Sequence, residues 1–187
     1  MATFQTIISG TNDDPVATAT EYAALMGNGN IAWYSSEGRC ESIIPTAGKL
    51  TNFKVGIKTA PGAGKSWTFT IRKAASGGAM ADTTLSVAIA DTAVLSSLDT
   101  DQVTVAAGDR VTIQAVPSGT PTAAAAVYWR CDFIPDTAGE TILLSNNWGD
   151  FPTANYFNTL IGSRLPDDIE FDAQTLFPTA GTLKFFY

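Results

Sequence analysis

Ser66-Trp67-Thr68-Phe69-Thr70-Ile71-Arg72 is the stretch on which the fold turns. Trp67, Phe69 and Ile71 alternate with Ser66, Thr68, Thr70 and Arg72. A period of two places one set on the buried face of a strand and the other on the opposite face. The same period runs outward in both directions. Upstream, Phe53, Val55 and Ile57 follow Leu50 on one side of a strand; downstream, Leu85, Val87 and Ile89 do the same, as do Val111 and Ile113. Farther on, Val127, Trp129, Cys131 and Phe133 alternate with Tyr128, Arg130 and Asp132, which points Cys131 inward. Between these runs lie APGAGK, AASGGA, AAGD and PSGTPTAA, rich in the glycine and proline that turns require. Residues 90–98 can form at most a short helical turn within a crossover loop. Counting strands from Phe4 to Phe133 gives eight or nine, at the turn spacing of a sandwich. No Cys, Trp, Cys spacing of the immunoglobulin kind is present. The expectation is therefore all-β: a jelly-roll-like antiparallel β-sandwich over residues 1–136.

A phrase of this domain returns near the end of the chain. Pro45-Thr46-Ala47-Gly48-Lys49-Leu50 and Phe53 reappear, at one constant offset, as Pro178-Thr179-Ala180-Gly181-Thr182-Leu183 and Phe186. Thr6-Ile7-Ile8-Ser9 is echoed by Ile142-Leu143-Leu144-Ser145, and EYAALMG, residues 21–27, by YFNTLIG, residues 156–162. So long a period suits a whole domain followed by the opening of another, not a solenoid. Residues 137–187 are read as an incomplete second repeat that packs on the first domain or on a neighbouring subunit. Unfinished strands would expose backbone groups and Phe177, Phe185, Phe186 and Tyr187, which makes these residues, with Trp148, the candidate subunit or domain interface.

Composition narrows the function. A net charge of −7 and the lack of any basic run argue against nucleic acid as a partner, because phosphate binding needs clustered lysine and arginine. No run approaches the length of a membrane span, and the start MATFQTIISG has neither a basic segment nor an apolar core, so a soluble protein without a membrane partner is expected. With 16 % charged residues and many glycines, alanines and threonines, the chain suits a rigid β-protein that shares its surface with neighbours.

Chemistry is thinly provided. The chain has no histidine, which removes the commonest general base and transition-metal ligand and excludes Ser-His and Cys-His catalysis. Cys40 and Cys131 lie in strand-like runs without metal-ligand spacing and read as buried free thiols. TAPGAGKS, residues 59–66, imitates a phosphate-binding loop, but Thr59 stands where the first glycine belongs and a strand follows where the motif needs a helix. A hairpin turn is the expectation there. Asp167, Asp168, Glu170 and Asp172 form the densest acidic cluster and read as a solvated strand face, and Asn12-Asp13-Asp14 before Pro15 reads as a turn. No cofactor, metal or catalytic residue is assigned. Trp67 and Trp129 read as core, whereas Trp33, Tyr34 and Trp148 lie in loop-like contexts where exposed rings could stack on sugars.

Two phrases taken together carry a resemblance: IPTAGKLTNFKVGIKTAPGAGKSWTFTIRK, residues 44–73, and VTVAAGDRVTIQAVPSGTPTAAAAVYW, residues 103–129. They resemble a domain that recurs in bacteriophage and metagenomic virion proteins, over residues 4–135. The resemblance implies a non-enzymatic structural subunit of a virus particle: a capsid decoration, a head fibre or a tail-associated protein, assembled in the host cytoplasm. Its partners would be itself, as a closed homo-oligomer such as a trimer, and other virion proteins. It implies no catalytic residue. This chain departs from the pattern after Lys73, where Ala74-Ala75-Ser76-Gly77-Gly78 replaces an Asn-Gly turn. The competing reading is a glycan-binding adhesin module, possibly on a phage fibre or tail, using Trp33, Tyr34 and Trp148.

Overall fold

A computed structural model of the chain describes residues 4–26 and 33–142. They form nine strands and one short 3-10 helix: β1 (Gln5–Thr11), β2 (Glu21–Ala23), the helix η1 (Glu37–Arg39), β3 (Ser42–Ile43), β4 (Gly48–Ile57), β5 (Gly62–Ala74), β6 (Ala81–Asp91), β7 (Val103–Val105), β8 (Arg110–Ser118) and β9 (Val127–Pro135). All pairings are antiparallel. One sheet runs β1-β9-β4-β7, and the other runs β2-β8-β5-β6 with β3 also on β8. Taking β2 and β3 as two pieces of one broken edge strand, this is the strand order of a jelly roll. The fold class read from the sequence holds.

The alternations work as read. Trp67, Phe69 and Ile71 of β5, Leu85, Val87 and Ile89 of β6, Val111 and Ile113 of β8, and Val127, Trp129, Cys131 and Phe133 of β9 are all buried between the sheets. Each core indole also finds a hydrogen-bond acceptor, as a buried N–H must. Trp67 Nε1 donates to the Thr122 carbonyl at 3.3 Å and Trp129 Nε1 to the Leu25 carbonyl at 2.8 Å.

The expected hairpin at residues 59–66 is instead a corner. β4 lies in one sheet and β5 in the other, so the chain crosses the sandwich between Ile57 and Gly62. Gly62 (φ 100°) and Gly64 (φ 69°) supply backbone angles that other residues resist. The Gly64 N–H is held by Asp91 Oδ1 at 2.7 Å. Glycine and proline marked a turn correctly, but a turn signal does not say which sheet receives the next strand. The true hairpin is β5–β6, closed over residues 75–78 with the Gly78 N–H on the Ala75 carbonyl at 2.8 Å. β6 ends at Asp91 (φ 55°) in a turn with the Ala93 N–H on the Ala90 carbonyl at 3.0 Å, and the chain then crosses to the other sheet, where Leu95 bridges Gly56 of β4.

β4 contains an interruption that strict alternation would forbid. Leu50 and Phe53 are both fully buried although they are three residues apart. Between the pairs Thr51↔Asp132 and Lys54↔Arg130, β4 advances three residues while β9 advances two. The extra residue is a β-bulge. Asn52 occupies it with φ 56°, a left-handed conformation that asparagine tolerates better than most residues. Its Nδ2 donates to Asp132 Oδ2 at 2.8 Å, and Thr6 Oγ1 donates to Asp132 Oδ1, also at 2.8 Å. Asp132 is buried, so its carboxylate ties β1, β9 and the bulge together.

The sandwich does not stop at residue 136. The Asp136 N–H reaches the Ala47 carbonyl at 3.1 Å, and Thr46 Oγ1 bonds the Glu140 carboxylate. Gln5 clasps Ile142 from both sides: its Nε2 donates to the Ile142 carbonyl at 2.8 Å, and its Oε1 accepts the Ile142 N–H at 2.9 Å. Ile142 itself is fully buried in the core. Residues 137–142 thus fold back onto the first domain, and the remainder of the proposed second repeat lies outside the described residues.

Cys40 and Cys131 are free, buried thiols. Burial pushes each up to about 12 from an ordinary 9.0, so both stay protonated in the folded chain well above the point where an unfolded thiol ionises. Folding should therefore be at full strength below about pH 9 and lose up to ~1.4 kcal/mol per thiol for each further pH unit toward 12. Urea titrations at stepped pH, with a double Cys→Ser variant as control, would read this slope. Replacing Asp132 with alanine should cost about 1–3 kcal/mol, because Thr6 and Asn52 lose their shared acceptor. The same titrations at neutral pH would measure it.

Candidate interaction surface

The two outer faces of the sandwich differ in kind. On the β2-β8-β5-β6 side, charge is paired. Arg72 Nε meets Glu37 Oε1 at 2.8 Å and its Nη1 meets Asp82 Oδ1 at 2.6 Å, while Nη2 donates to the Met80 carbonyl at 3.0 Å. Glu37 Oε1 also accepts Thr112 Oγ1 at 2.8 Å, which seats η1 over the middle of the sheet. Arg110 pairs with Glu41, and Lys73 with Asp109 at 3.2 Å. Thr112, on the outward side of β8, is buried beneath this cover, and Gln114 on the same side is buried as well.

The outer face of β1-β9-β4-β7 has no such cover among the described residues. On β1 the period of two sends Ile7 inward and Phe4, Thr6, Ile8 and Gly10 outward. On β9 it sends Tyr128, Arg130 and Asp132 outward, and on β4 Lys49, Lys54 and Gly56. Strand register then assembles rows across the sheet. One row is Gly10–Tyr128–Gly56–Leu95, and the next is Ile8–Arg130–Lys54.

The first row is flat for a steric reason. A Cβ at Gly10 would lie 2.8 Å from the Val127 carbonyl oxygen and 3.2 Å from Tyr128 Cδ1, so the tyrosine ring leans over space that only glycine leaves open. A Cβ at Gly56 would come within 3.3 Å of Leu95 Cδ1. Glycine inside a strand commonly marks such close approach. The result is an apolar strip in which Ile8, Leu95, Val94 and Tyr128 stay exposed.

The residues singled out from the sequence fall elsewhere. Trp33, expected as an exposed ring, is only 4 % exposed. Its ring packs against Phe69 at 6.0 Å and Trp129 at 6.1 Å, and its Nε1 donates to Thr11 Oγ1 at 3.1 Å. It closes one end of the core and offers no face to a sugar. Tyr34 is half-buried, bridged to Tyr22 through paired backbone bonds of 2.8 and 2.9 Å, with the Arg39 guanidinium 4.7 Å from its ring centre. Trp148, Phe177, Phe185, Phe186 and Tyr187 lie outside the described residues, as does the acidic cluster at residues 167–172. The Gly10–Tyr128–Gly56–Leu95 row was missed. Only the outward position of Tyr128 was legible, since its row partners depend on register.

No cluster of acidic or cysteine side chains able to hold a metal ion occurs among the described residues. No helix among them is long and apolar enough to cross a membrane.

No protein-family model matches the chain, and no curated protein matches it. Among solved structures, the globular domain of zebrafish complement 1qA protein is similar at 11 % identity and a TM-score of 0.40, over 72 % of this chain and 98 % of that one.

The contrast between Trp33 and Tyr128 is measurable. Trp33→Ala should cost about 3–5 kcal/mol as a large core truncation. Tyr128→Ser, on the open face, should change stability by no more than about 0.5 kcal/mol. Chemical denaturation of the two variants would check both.

Proposed function

We propose that the chain is a non-enzymatic structural subunit of a virus particle, a capsid decoration or fibre component that works through contacts between subunits. The observation that supports it is the apolar strip on the outer face of β1-β9-β4, on a sandwich whose opposite face carries the ion pairs of Arg72 and Arg110. Contiguous exposed apolar side chains are the mark of a surface meant to be covered. The virion setting comes from the resemblance carried by residues 44–73 and 103–129. Self-association as a closed, symmetric oligomer, such as a trimer, is the economical way for identical chains to cover identical strips.

Light scattering coupled to size-exclusion chromatography across a dilution series tests this. The expected result is a discrete multiple of 19.7 kDa that persists on dilution. The double variant Ile8→Lys, Leu95→Lys should shift the species toward the single-chain mass while leaving the circular-dichroism spectrum unchanged. A wild-type chain that stays at the single-chain mass at every concentration would refute the assembly role.

A further inference from the structure

We infer that the strip on β1-β9-β4 is filled by residues 143–187 of a neighbouring copy of this chain, and not by that copy's sandwich. This rests on the assembly reading above and names the element that makes the contact.

The strip has the shape for an extended segment. Ile8 is 75 % exposed, Leu95 56 % and Tyr128 53 %, yet Tyr128 and Leu95 lie down over Gly10 and Gly56 and leave a shallow band across the sheet. Because Tyr128 and Leu95 fill the space above Gly10 and Gly56, the band presents their exposed side chains to a segment laid across the strands.

Charge chooses between the two occupants. Lys49, Lys54 and Arg130 all point outward on this face and make no ion pair among the described residues, Lys49 reaching only Gln102 Oε1 at 3.4 Å, while Asp132, the carboxylate borne by these strands, is buried and spent on Thr6 and Asn52. Two sandwiches placed strip to strip would set these cations against their own copies, which costs affinity. Residues 143–187 have the opposite balance. They contain Asp150, Asp167, Asp168, Glu170 and Asp172 against Arg164 and Lys184, and they carry Phe171, Phe177, Phe185, Phe186 and Tyr187 to meet an apolar strip.

The point of departure also fits. Residues 143–187 follow Ile142, which Gln5 clasps at the start of β1, the edge strand of this sheet. Residues 143–187 are long enough to leave one sandwich there and cross another.

Carbodiimide coupling of lysine amines to carboxylates, on full-length light and isotopically heavy chains refolded together, tests the assignment. We expect links from Lys49 or Lys54 to residues 167–172 that join a light chain to a heavy one. We also expect them to fall several-fold in Tyr128→Ser, Leu95→Ser, whose substitutions leave both lysines and every carboxylate in place. Links confined to chains of one isotope would overturn the proposal, because the segment would then be covering its own sandwich. An oligomer by light scattering without links to residues 143–187 would also overturn it while leaving the assembly role standing. A chain at the single-chain mass throughout would remove the assembly role itself.

Discussion

The sheet formed by β1, β9, β4 and β7 depends on one buried carboxylate. Asp132 accepts hydrogen bonds from Thr6 on β1 and from Asn52 in the β4 bulge, and so fixes how three strands lie against one another. The bulge matters because side chains alternate strictly along a strand. Without the extra residue, either Leu50 or the set Phe53, Val55 and Ile57 would be turned to solvent. With it, all four are buried. The bulge also divides the far edge of β4 between two partners. β7 pairs with Gly48 to Leu50, and the segment around residues 94–99 bonds to Phe53, Val55 and Ile57.

The outer surface inherits that register. Lys54 stands opposite Arg130 and Gly56 opposite Tyr128 because β4 has been shifted by one residue relative to β9. Without that shift Val55, not Gly56, would stand beside the tyrosine and fill the space into which Leu95 now leans. The same carboxylate that closes the core therefore lays out the row on which contact with a partner depends. It does so from a distance, since Asp132 sits two rows from Tyr128 on β9.

Much of the core was legible because a period of two is a local signal. The strands around Trp67, Leu85, Ile113 and Trp129 could each be read within about seven residues, and each buries the side it announced. What could not be read depends on separation along the chain. Asp132 finds Thr6 and Asn52 at sequence distances of 126 and 80 residues, so alternation alone put it in solvent. Thr112 was outward by the same rule, and so it is, yet Glu37 of η1 covers it. Trp33 failed for a related reason. A tryptophan outside a strand has no alternation to follow, and its burial is decided by Thr11, Phe69 and Trp129 arriving from three other elements.

The two faces of the sandwich then differ by how their charges are used. The chain carries a net −7, so separate copies repel at long range. On the β2-β8-β5-β6 face Arg72 and Arg110 are engaged by local carboxylates. On the opposite face Lys54 and Arg130, in the row next to the apolar strip, and Lys49 farther along β4 make no ion pair among the described residues. A locally basic patch on an acidic protein is a selective feature. It favours an acidic, aromatic segment over a second basic face, and it fixes orientation as well as attraction. Because these charges are partly exposed, their contribution must weaken as salt is added, whereas the burial of Ile8, Tyr128 and Leu95 is far less sensitive to it. The apolar strip would therefore hold a partner in place, and the cations would decide which partner it is.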